Sequence, residues 1–565
     1  MKPTTFVVMP AALKSIVFPV FFIFISLSGF GQEKFIAPVD TPFQLSGTFG
    51  ELRANHFHSG LDFRTDGKEG AEVRAAMGGW VSRIKVSATG FGNVVYLDHL
   101  QGYTTVYAHL HHFDPVLGAY IDSAQYATEN FEVELFPDSG RFNFKQGDLI
   151  AISGNSGSSQ APHLHFEIRD LHSQEPINPL CFIHASSDTL PPTLEKLLIY
   201  YLISNNYILD TVINILPGFD STYSIPAYRD SIFLGLLTTD PEPPNRLGIY
   251  AGLLREKDSV LFQFNFDRFN FNETRYANAH ADLLKTGFGQ KRTHRLYKLP
   301  GDSCSIFKYA GDGAIVMKDS LKQAIDIEIS DFSGNLSKIK VEMVRMRDSS
   351  ALGTICPDEI IPFDKKWEKW FDNGLSVYLP VKSLYQNVCW NQLPKISSNS
   401  FISDIFPVLQ EMEGSLHKPG TIRIPLKSEQ HFEHEKAVLI RMDKNYQRLD
   451  VSIPDSINQS FIRGVFRNGG YFAAGADTLP PDIDKFFFET DTIDGKEYAA
   501  CTIRDDLSGI NGISVEVNGK WRLTSYDSKS NKIRWRRNRK ETGPHTISIQ
   551  LSDFCNNKSQ WNFAE

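Results

Sequence analysis

The sequence predicts an all-β protein, and three observations carry that expectation. The stretch His163-Leu164-His165-Phe166-Glu167-Ile168-Arg169 alternates with a period of two, apolar side chains on one face and ionisable ones on the other. Short segments of this kind follow one another between residues 33 and 180, separated by turns such as Thr89-Gly90-Phe91-Gly92 and Gln101-Gly102. Further on, Asp188-Thr189-Leu190-Pro191-Pro192 recurs as Asp477-Thr478-Leu479-Pro480-Pro481. Each copy is followed downstream by a matching strand end, Ile329-Ser330-Asp331-Phe332-Ser333-Gly334-Asn335 and Leu551-Ser552-Asp553-Phe554-Cys555-Asn556-Asn557. Such a chain reads as a succession of β-sandwiches or small barrels.

Residues 1–32 stand apart. Lys2 and Lys14 precede the apolar run Ile16–Leu27, and Gly29-Phe30-Gly31 puts small residues at a cleavage position. This pattern predicts a secretory signal peptide, its apolar run too short to span a bilayer comfortably. No later segment is apolar enough to cross a membrane, and no Cys precedes Cys181 to carry a lipid. The mature chain is therefore expected to be soluble and exported, to the periplasm or the cell surface. With 565 residues, 41% hydrophobic and 22% charged, it has room for roughly three or four domains. A net charge of −8 lacks the basic surplus of a nucleic-acid binder, so no such partner is expected.

The first domain is expected over residues 33–187, with strands at Gly79–Val86, Asn93–Leu97, Tyr103–Leu110, Asp148–Ser153 and His163–Arg169. Alternation within Tyr103–His109 puts Thr105, Tyr107 and His109 on one face. Between Tyr120 and Gly147, Phe131–Phe136 and Arg141–Phe144 flank the turn Pro137-Asp138-Ser139-Gly140 and read as an inserted hairpin, which would wall a groove or extend the sheet. Nine of the sixteen histidines (56, 58, 99, 109, 111, 112, 163, 165 and 172) fall in this region. Three segments present metal-type donors: His58 and Asp62 with Gly60 between them, His109, and the pair His163 and His165 on one strand face. Two His and one Asp suit a catalytic Zn²⁺, which takes three protein ligands and keeps a position for water. Of His163 and His165, one can bind metal while the other reaches that water; spacing leaves open which.

His58-x-Gly60-x-Asp62, Tyr107-Ala108-His109-Leu110, Ser153-Gly154-Asn155-Ser156-Gly157 and His163-x-His165, in this order, resemble the lysostaphin-type, LytM-like zinc metallopeptidases. The resemblance runs from about Phe49 to Leu180. It implies a β-sheet, barrel-sandwich peptidase fold of the duplicated hybrid motif type, with His58, Asp62 and His165 as zinc ligands and His109 and His163 beside the open position. It also implies peptide hydrolysis, with the stem peptides of peptidoglycan as substrate. Zinc lowers the pKa of its water towards ~7, where an imidazole accepts the proton. His163 is assigned as general base. His109 would donate to the oxyanion or hold the water in line. Glu167 would orient a ligand imidazole, or pair with Arg169 or Arg83. His56 competes weakly with His58 as a ligand, and His99, His111 and His112 are expected to be solvated or at a cleft rim.

Beyond the first domain, 188–345 reads as a β-sandwich module with extra strands, 346–476 as a β-rich module, and 477–565 as an immunoglobulin-like β-sandwich. A short helix is expected around Lys365–Phe371. Trp367, Trp370 and Phe371 either stack on sugar rings or pack in a core. The run Arg534-Trp535-Arg536-Arg537-Asn538-Arg539-Lys540 is either a charged exposed hairpin or a contact to an anionic envelope polymer. Six cysteines form no CxxC, and Cys356–Cys389 and Cys501–Cys555 are plausible bridges for an oxidising compartment, free thiols being the alternative. The short stretch before His58 leaves no room for a long blocking propeptide, so latency would come from the C-terminal modules, which are also where contact with an envelope partner is expected. The expectation is thus an exported zinc endopeptidase that cuts peptide cross-links of peptidoglycan. The rivals are an inactive envelope protein that binds or activates another wall hydrolase, a peptidase of proteins, and an adhesin.

Overall fold

The strand His163–Asp170 lies at the middle of a nine-stranded sheet and sets the geometry of everything around it. Its apolar residues Leu164, Phe166 and Ile168 are completely buried, as their alternation predicts. Antiparallel neighbours flank it on both sides, Leu61–Arg64 and Tyr103–Ala108, and the sheet continues through Val94–His99 and Gly79–Val86. Against it packs a three-stranded sheet of Glu72–Arg74, Leu149–Ser153 and Leu110–Phe113. The computed structural model describes residues 34–183, 188–203, 206–216, 222–282, 292–309, 311–318, 322–346, 359–391, 393–410, 415–427, 432–537 and 545–564. The expected signal peptide, Cys356 and residues 538–540 lie outside them.

The region expected to be a hairpin is built differently. Asp114 accepts hydrogen bonds from the N–H groups of Val116 and Leu117 and, with Pro115 in the first turn, starts the helix Pro115–Thr128. Val133–Leu135 and Asn143–Phe144 then pair with opposite ends of the strand Gly79–Val86, not with each other. The segments extend the sheet.

The rest of the described chain is also β-structure, and each sheet draws its strands from one stretch of sequence. Two sheets lie within 193–345, including the parallel pair Thr222–Ala227 and Leu336–Arg345. Three lie within 359–476, and two four-stranded sheets within 482–564. In the last stretch Ala499, Cys501, Ile533 and Trp535 of one sheet share a core with Val515, Ile547, Ile549 and Leu551 of the other, which makes it a sandwich. The segment expected as a helix is the strand Trp367–Trp370, with Trp367 buried and Trp370 exposed as a two-residue period requires. Trp367 and Phe371 both pack on Trp390, so neither offers a sugar platform.

Contacts link each stretch to the next and the last back to the first. Phe49 stacks on Phe269, and Phe57 packs between Phe266 and Phe269, so one apolar core runs from Phe35 to Tyr385. Arg275 donates to Ser415 Oγ and to the Leu416 carbonyl. Lys436 Nζ donates to the Cys555 carbonyl. The last sandwich then returns to the first domain. Asp491 Oδ2 lies 3.0 Å from His111 Nε2, Ser528 Oγ donates to the Ala88 carbonyl, and Lys529 Nζ to that of Asn155.

The suggested Cys501–Cys555 bridge does not form: both thiols are free, because Cys501 sits in the core of the last sandwich and Cys555 packs among Ile405, Val438 and Ala473. Cys389 is disulfide-bonded.

Candidate metal centre

Cross-strand register brings the central pair together. In the ladder, His165 lies directly opposite Asp62 on one side and Ala108 on the other, so Asp62 and His165 project from the same face at neighbouring positions. His58 arrives from the loop before Leu61–Arg64. Gly60 permits this approach, since a Cβ there would fall 2.2 Å from the Phe166 carbonyl oxygen. The outcome is a nearly equilateral triangle: His58 Nε2 to Asp62 Oδ1 is 3.0 Å, His58 Nε2 to His165 Nδ1 is 3.0 Å, and His165 Nδ1 to Asp62 Oδ1 is 2.9 Å. All three residues are buried.

The partners behind the triangle fix both tautomers. His58 Nδ1 donates to the Thr48 carbonyl at 2.7 Å, leaving the lone pair of Nε2 to face inward. His165 Nε2 donates to Glu167 Oε1 at 3.0 Å, leaving Nδ1 to face inward. Glu167 is fully buried and also takes hydrogen bonds from Ser59 Oγ and from Arg169 Nε. It therefore both orients a central imidazole and pairs with Arg169. Asp62 turns its second oxygen to Arg53 Nη2 at 2.5 Å.

Electrostatics agrees with this arrangement. Burial opposes ionisation of Asp62, but His58, Arg53 and the imidazoles of His163 and His165 outweigh it and hold its carboxyl well below the usual range. Burial likewise opposes the charge on Glu167, yet Arg169, His165 and Ser59 bring its pKa down to about 2. Burial and then Arg53 push His58 down to about 4, so it stays neutral. Burial would lower His165 too, but Asp62 and Glu167 prevail and raise it to about 9. Without a metal, the only proton among the three inward atoms is the one on His165 Nδ1, held between it and Asp62 Oδ1; a cation in its place would meet three ligand atoms within 3.0 Å of one another. The edges are close to the ~3.3 Å that separates ligands around tetrahedral Zn²⁺ with Zn–N bonds of ~2.0 Å. Two imidazoles and one carboxylate, without a thiolate, fit a zinc ion of the catalytic kind.

His163 and His109 stand beside the triangle. His163 Nδ1 lies 2.8 Å from the Ala161 carbonyl, which makes it the donor; Nε2 is buried, without a hydrogen bond, 3.4 Å from Asp62 Oδ1. His109 reaches the site by a route that alternation misses. Thr105 and Tyr107 face the core, fully buried, and His109 would follow them. Its left-handed backbone, φ 60°, ends the strand and turns the side chain to the site face instead, where its ring lies 4.9 Å from that of His163. Nδ1 donates to the Ser156 carbonyl at 2.9 Å. Burial, then His165 and His163, lower its pKa to about 3.

The other histidines are elsewhere. His56 is exposed and bonds to the Ala54 carbonyl. His99, expected at the rim, is buried between the Gly78 carbonyl and Thr105 Oγ1. His111 holds Asp491 and contacts His112. Three contributors gave no signal as site residues in the sequence: Thr48 acts through its backbone, Arg53 is one of many arginines, and Phe91 stacks on His165 at 5.2 Å. Phe91 is placed by the tight packing of Gly92 on Ser156 and Gly157, where a Cβ on Gly157 would fall 2.3 Å from Gly92 N. The Ser153–Gly157 motif was the available clue to that contact.

Residues 56–126 match the model of peptidase family M23. The N-terminal β-domain belongs to that family. Among its relatives, the DD-carboxypeptidase/endopeptidase Mpg of Neisseria meningitidis serogroup B is 30% identical over 129 residues, which are 23% of this chain and 23% of that protein. A metalloprotease of Haemophilus influenzae is 33% identical over 110 residues, 20% of this chain and 18% of its own length. The chain thus spans about a quarter or less of the length of these M23-like relatives. Of solved structures, the catalytic domain of lysostaphin from Staphylococcus simulans aligns at 24% identity over 25% of this chain and 91% of that domain, with a TM-score of 0.19. A zinc-containing peptidase from Vibrio cholerae aligns at 26% identity over 26% of this chain and 39% of its own, with a TM-score of 0.20.

Proposed function

We propose that this protein is an exported zinc metalloendopeptidase that hydrolyses peptide cross-links of peptidoglycan in the cell envelope. The observation that carries the reading is the convergence of His58 Nε2, Asp62 Oδ1 and His165 Nδ1 with tautomers set for metal binding. The substrate class is supported by the DD-carboxypeptidase/endopeptidase relatives.

His58, Asp62 and His165 would hold the zinc. When bound, it supplies Lewis acidity, acidifying water and polarising a peptide carbonyl. His163 acts as the general base at Nε2, whose lone pair is free because Nδ1 is committed to the Ala161 carbonyl. It takes the proton of the attacking water and returns it to the leaving amine. The hydrogen bonding of His109 favours the water-holding role over donation to the oxyanion. With Nδ1–H engaged by the Ser156 carbonyl and the ring kept neutral, Nε2 is an acceptor that orients the water's second hydrogen. Phe91 and the buried Glu167–Arg169 pair shield the strand face behind the ligands from solvent.

The test is cleavage of cross-linked muropeptides by the purified protein, with and without chelator, repeated with His163→Ala. The expected result is chelator-sensitive release of peptide-linked products. His163→Ala should lose turnover by ~10²–10⁴-fold, the usual worth of general-base catalysis, while still binding zinc. Full turnover in the variant would remove the base assignment, and an inert zinc-loaded wild type would favour a binding protein.

A further inference from the structure

The two repeated landmarks acquire a common role in the fold. Asp188, from the first Asp-Thr-Leu-Pro-Pro copy, meets Asp240 on the strand Ser231–Glu242 and Asp331 just after Lys322–Ser330, with one oxygen from each within 4.8 Å of the others. Asp477, from the second copy, meets Asp505 and Asp553 in the same way. The supporting hydrogen bonds coincide. Asp331 accepts from Asn335 N and Nδ2 at 2.9 and 2.8 Å, and Asn335 Nδ2 also donates to the Asp188 carbonyl. Asp553 accepts from Asn557 N and Nδ2 at 2.8 and 2.7 Å, and Asn557 Nδ2 donates to the Asp477 carbonyl. Ser337 and Ser559 close the two frames by donating to the carbonyls of Pro192 and Pro481.

A cluster of carboxylates alone says little, but Asp240 adds a second fact. It is only 5% exposed, and its Oδ1 is buried with no hydrogen-bond partner. Asp505 Oδ1 is buried and unpartnered as well. Among the described residues no Lys, Arg or His forms an ion pair with any of the six carboxylates. A buried, unpaired carboxylate beside two others either keeps its proton, as burial and the neighbouring Asp331 and Asp188 favour for Asp240 without a cation, or takes up a counter-charge. Oxygen donors without imidazole or thiolate select a hard cation, and carboxylates gathered from separate segments suit the flexible coordination of Ca²⁺ better than the strict octahedron of Mg²⁺.

We propose that each landmark builds a Ca²⁺ site, Asp188–Asp240–Asp331 in the first β-module and Asp477–Asp505–Asp553 in the last. Both sites lie where the chain enters a module. The first opens into a cleft of about 250 Å³ lined by Asp188, Asp240, Glu242 and Asp331 on the module side and by Phe43 and Leu180 of the peptidase domain. At the second, Asp477 directly follows the strand Gly470–Ala476 and donates its N–H to the Lys436 carbonyl. The ions clamp the chain at these two passages and hold the peptidase domain and the modules in place.

The test is calorimetric titration of the zinc-loaded chain, freed of other divalent ions, with CaCl₂ and separately with MgCl₂. The expected result is two Ca²⁺ ions per chain, one in Asp240→Asn, one in Asp505→Asn and none in the double variant. Dissociation constants should be on the order of 10⁻³ M or tighter, as for extracellular calcium modules. Ca²⁺ should also raise the thermal midpoint of the wild type and not that of the double variant. No binding by the wild type at millimolar Ca²⁺, or unchanged binding in the double variant, would overturn the proposal. A single ion lost only in Asp240→Asn would keep the first site and overturn the second. Should either variant misfold by circular dichroism, Asp188→Asn and Asp553→Asn take their place, and the wild-type stoichiometry still decides.

Discussion

Among the described residues, two pairs of buried histidines come within 3.1 Å nitrogen to nitrogen, and they have opposite characters. His58 and His165 approach at 3.0 Å, His280 and His294 at 3.1 Å. The first pair has Asp62 between its inward nitrogens, and its outward nitrogens are tied to Thr48 and Glu167. The second sits among Phe57, Phe264, Phe266 and Phe307, with Arg295 nearby and His280 Nδ1 without a partner. Two imidazoles in contact are therefore not enough for a metal centre. What distinguishes the first pair is a carboxylate in the triangle and a second acceptor behind each ring, which fix where the lone pairs point.

The largest expected effect follows from removing that carboxylate's charge. Asp62→Asn keeps the shape but leaves a weak neutral ligand and removes one of the two carboxylates paired with Arg53, the other being Glu51. Zinc content measured by mass spectrometry should fall from about one ion per chain to none, and turnover should drop by more than ~100-fold, beyond what loss of an outer partner costs. His294→Gln, at the other pair, should keep its zinc. Equal zinc loss in both variants would break the distinction between the pairs.

How much of this was legible in the sequence depends on the range of the determinant. The strand His163–Asp170 declared itself because alternation is local, and so did the His58–Asp62 segment, whose spacing needs one close-packed glycine. His109 did not, because a single residue at φ 60° cancels the period that placed it with Tyr107. The helix Pro115–Thr128 was not expected: only Leu117, Ile121 and Gln125 are buried along it, too thin a stripe for periodicity to detect. Trp367–Trp370 misled in the other direction, since two tryptophans three apart fit a helix face as well as a strand. The return of the last sandwich to the first domain rests on isolated contacts such as His111 with Asp491, which leave no pattern along the chain. The repeated Asp-Thr-Leu-Pro-Pro landmark was visible, yet its third carboxylates, Asp240 and Asp505, belong to no shared motif and only the fold gathers them.

A smaller effect is expected behind the metal. Glu167→Gln preserves the hydrogen-bond length to His165 Nε2 but removes the charge that sets its tautomer and that Arg169 neutralises. Zinc affinity or turnover should fall ~10–100-fold, the usual cost of such a partner, with the metal still bound at saturating zinc. Unchanged affinity and turnover would mean that Glu167 serves only Arg169.

The smallest effect belongs to the apolar pair and concerns acid. Burial, then His294 and Arg295, hold His280 well below its ordinary range, and burial holds His294 down to about 3. Both rings are neutral in the fold, whereas in the unfolded chain each takes a proton near its ordinary value of ~6.5. The unfolded state therefore binds more protons below that value, and the stability contributed by the pair, fully present above ~6.5, drains away as pH falls towards 3. Between pH 7 and pH 6 the two together should cost the module about 1.4 kcal/mol. Unfolding of a chain with several cores is not one two-state transition. The measurement is therefore hydrogen exchange in the strand Ser231–Glu242, paired with His294 through Leu236 and corrected for the intrinsic effect of pH. Protection there should fall over that interval in the wild type and much less in His294→Gln. An equal fall in both would trace the acid sensitivity to groups other than this pair.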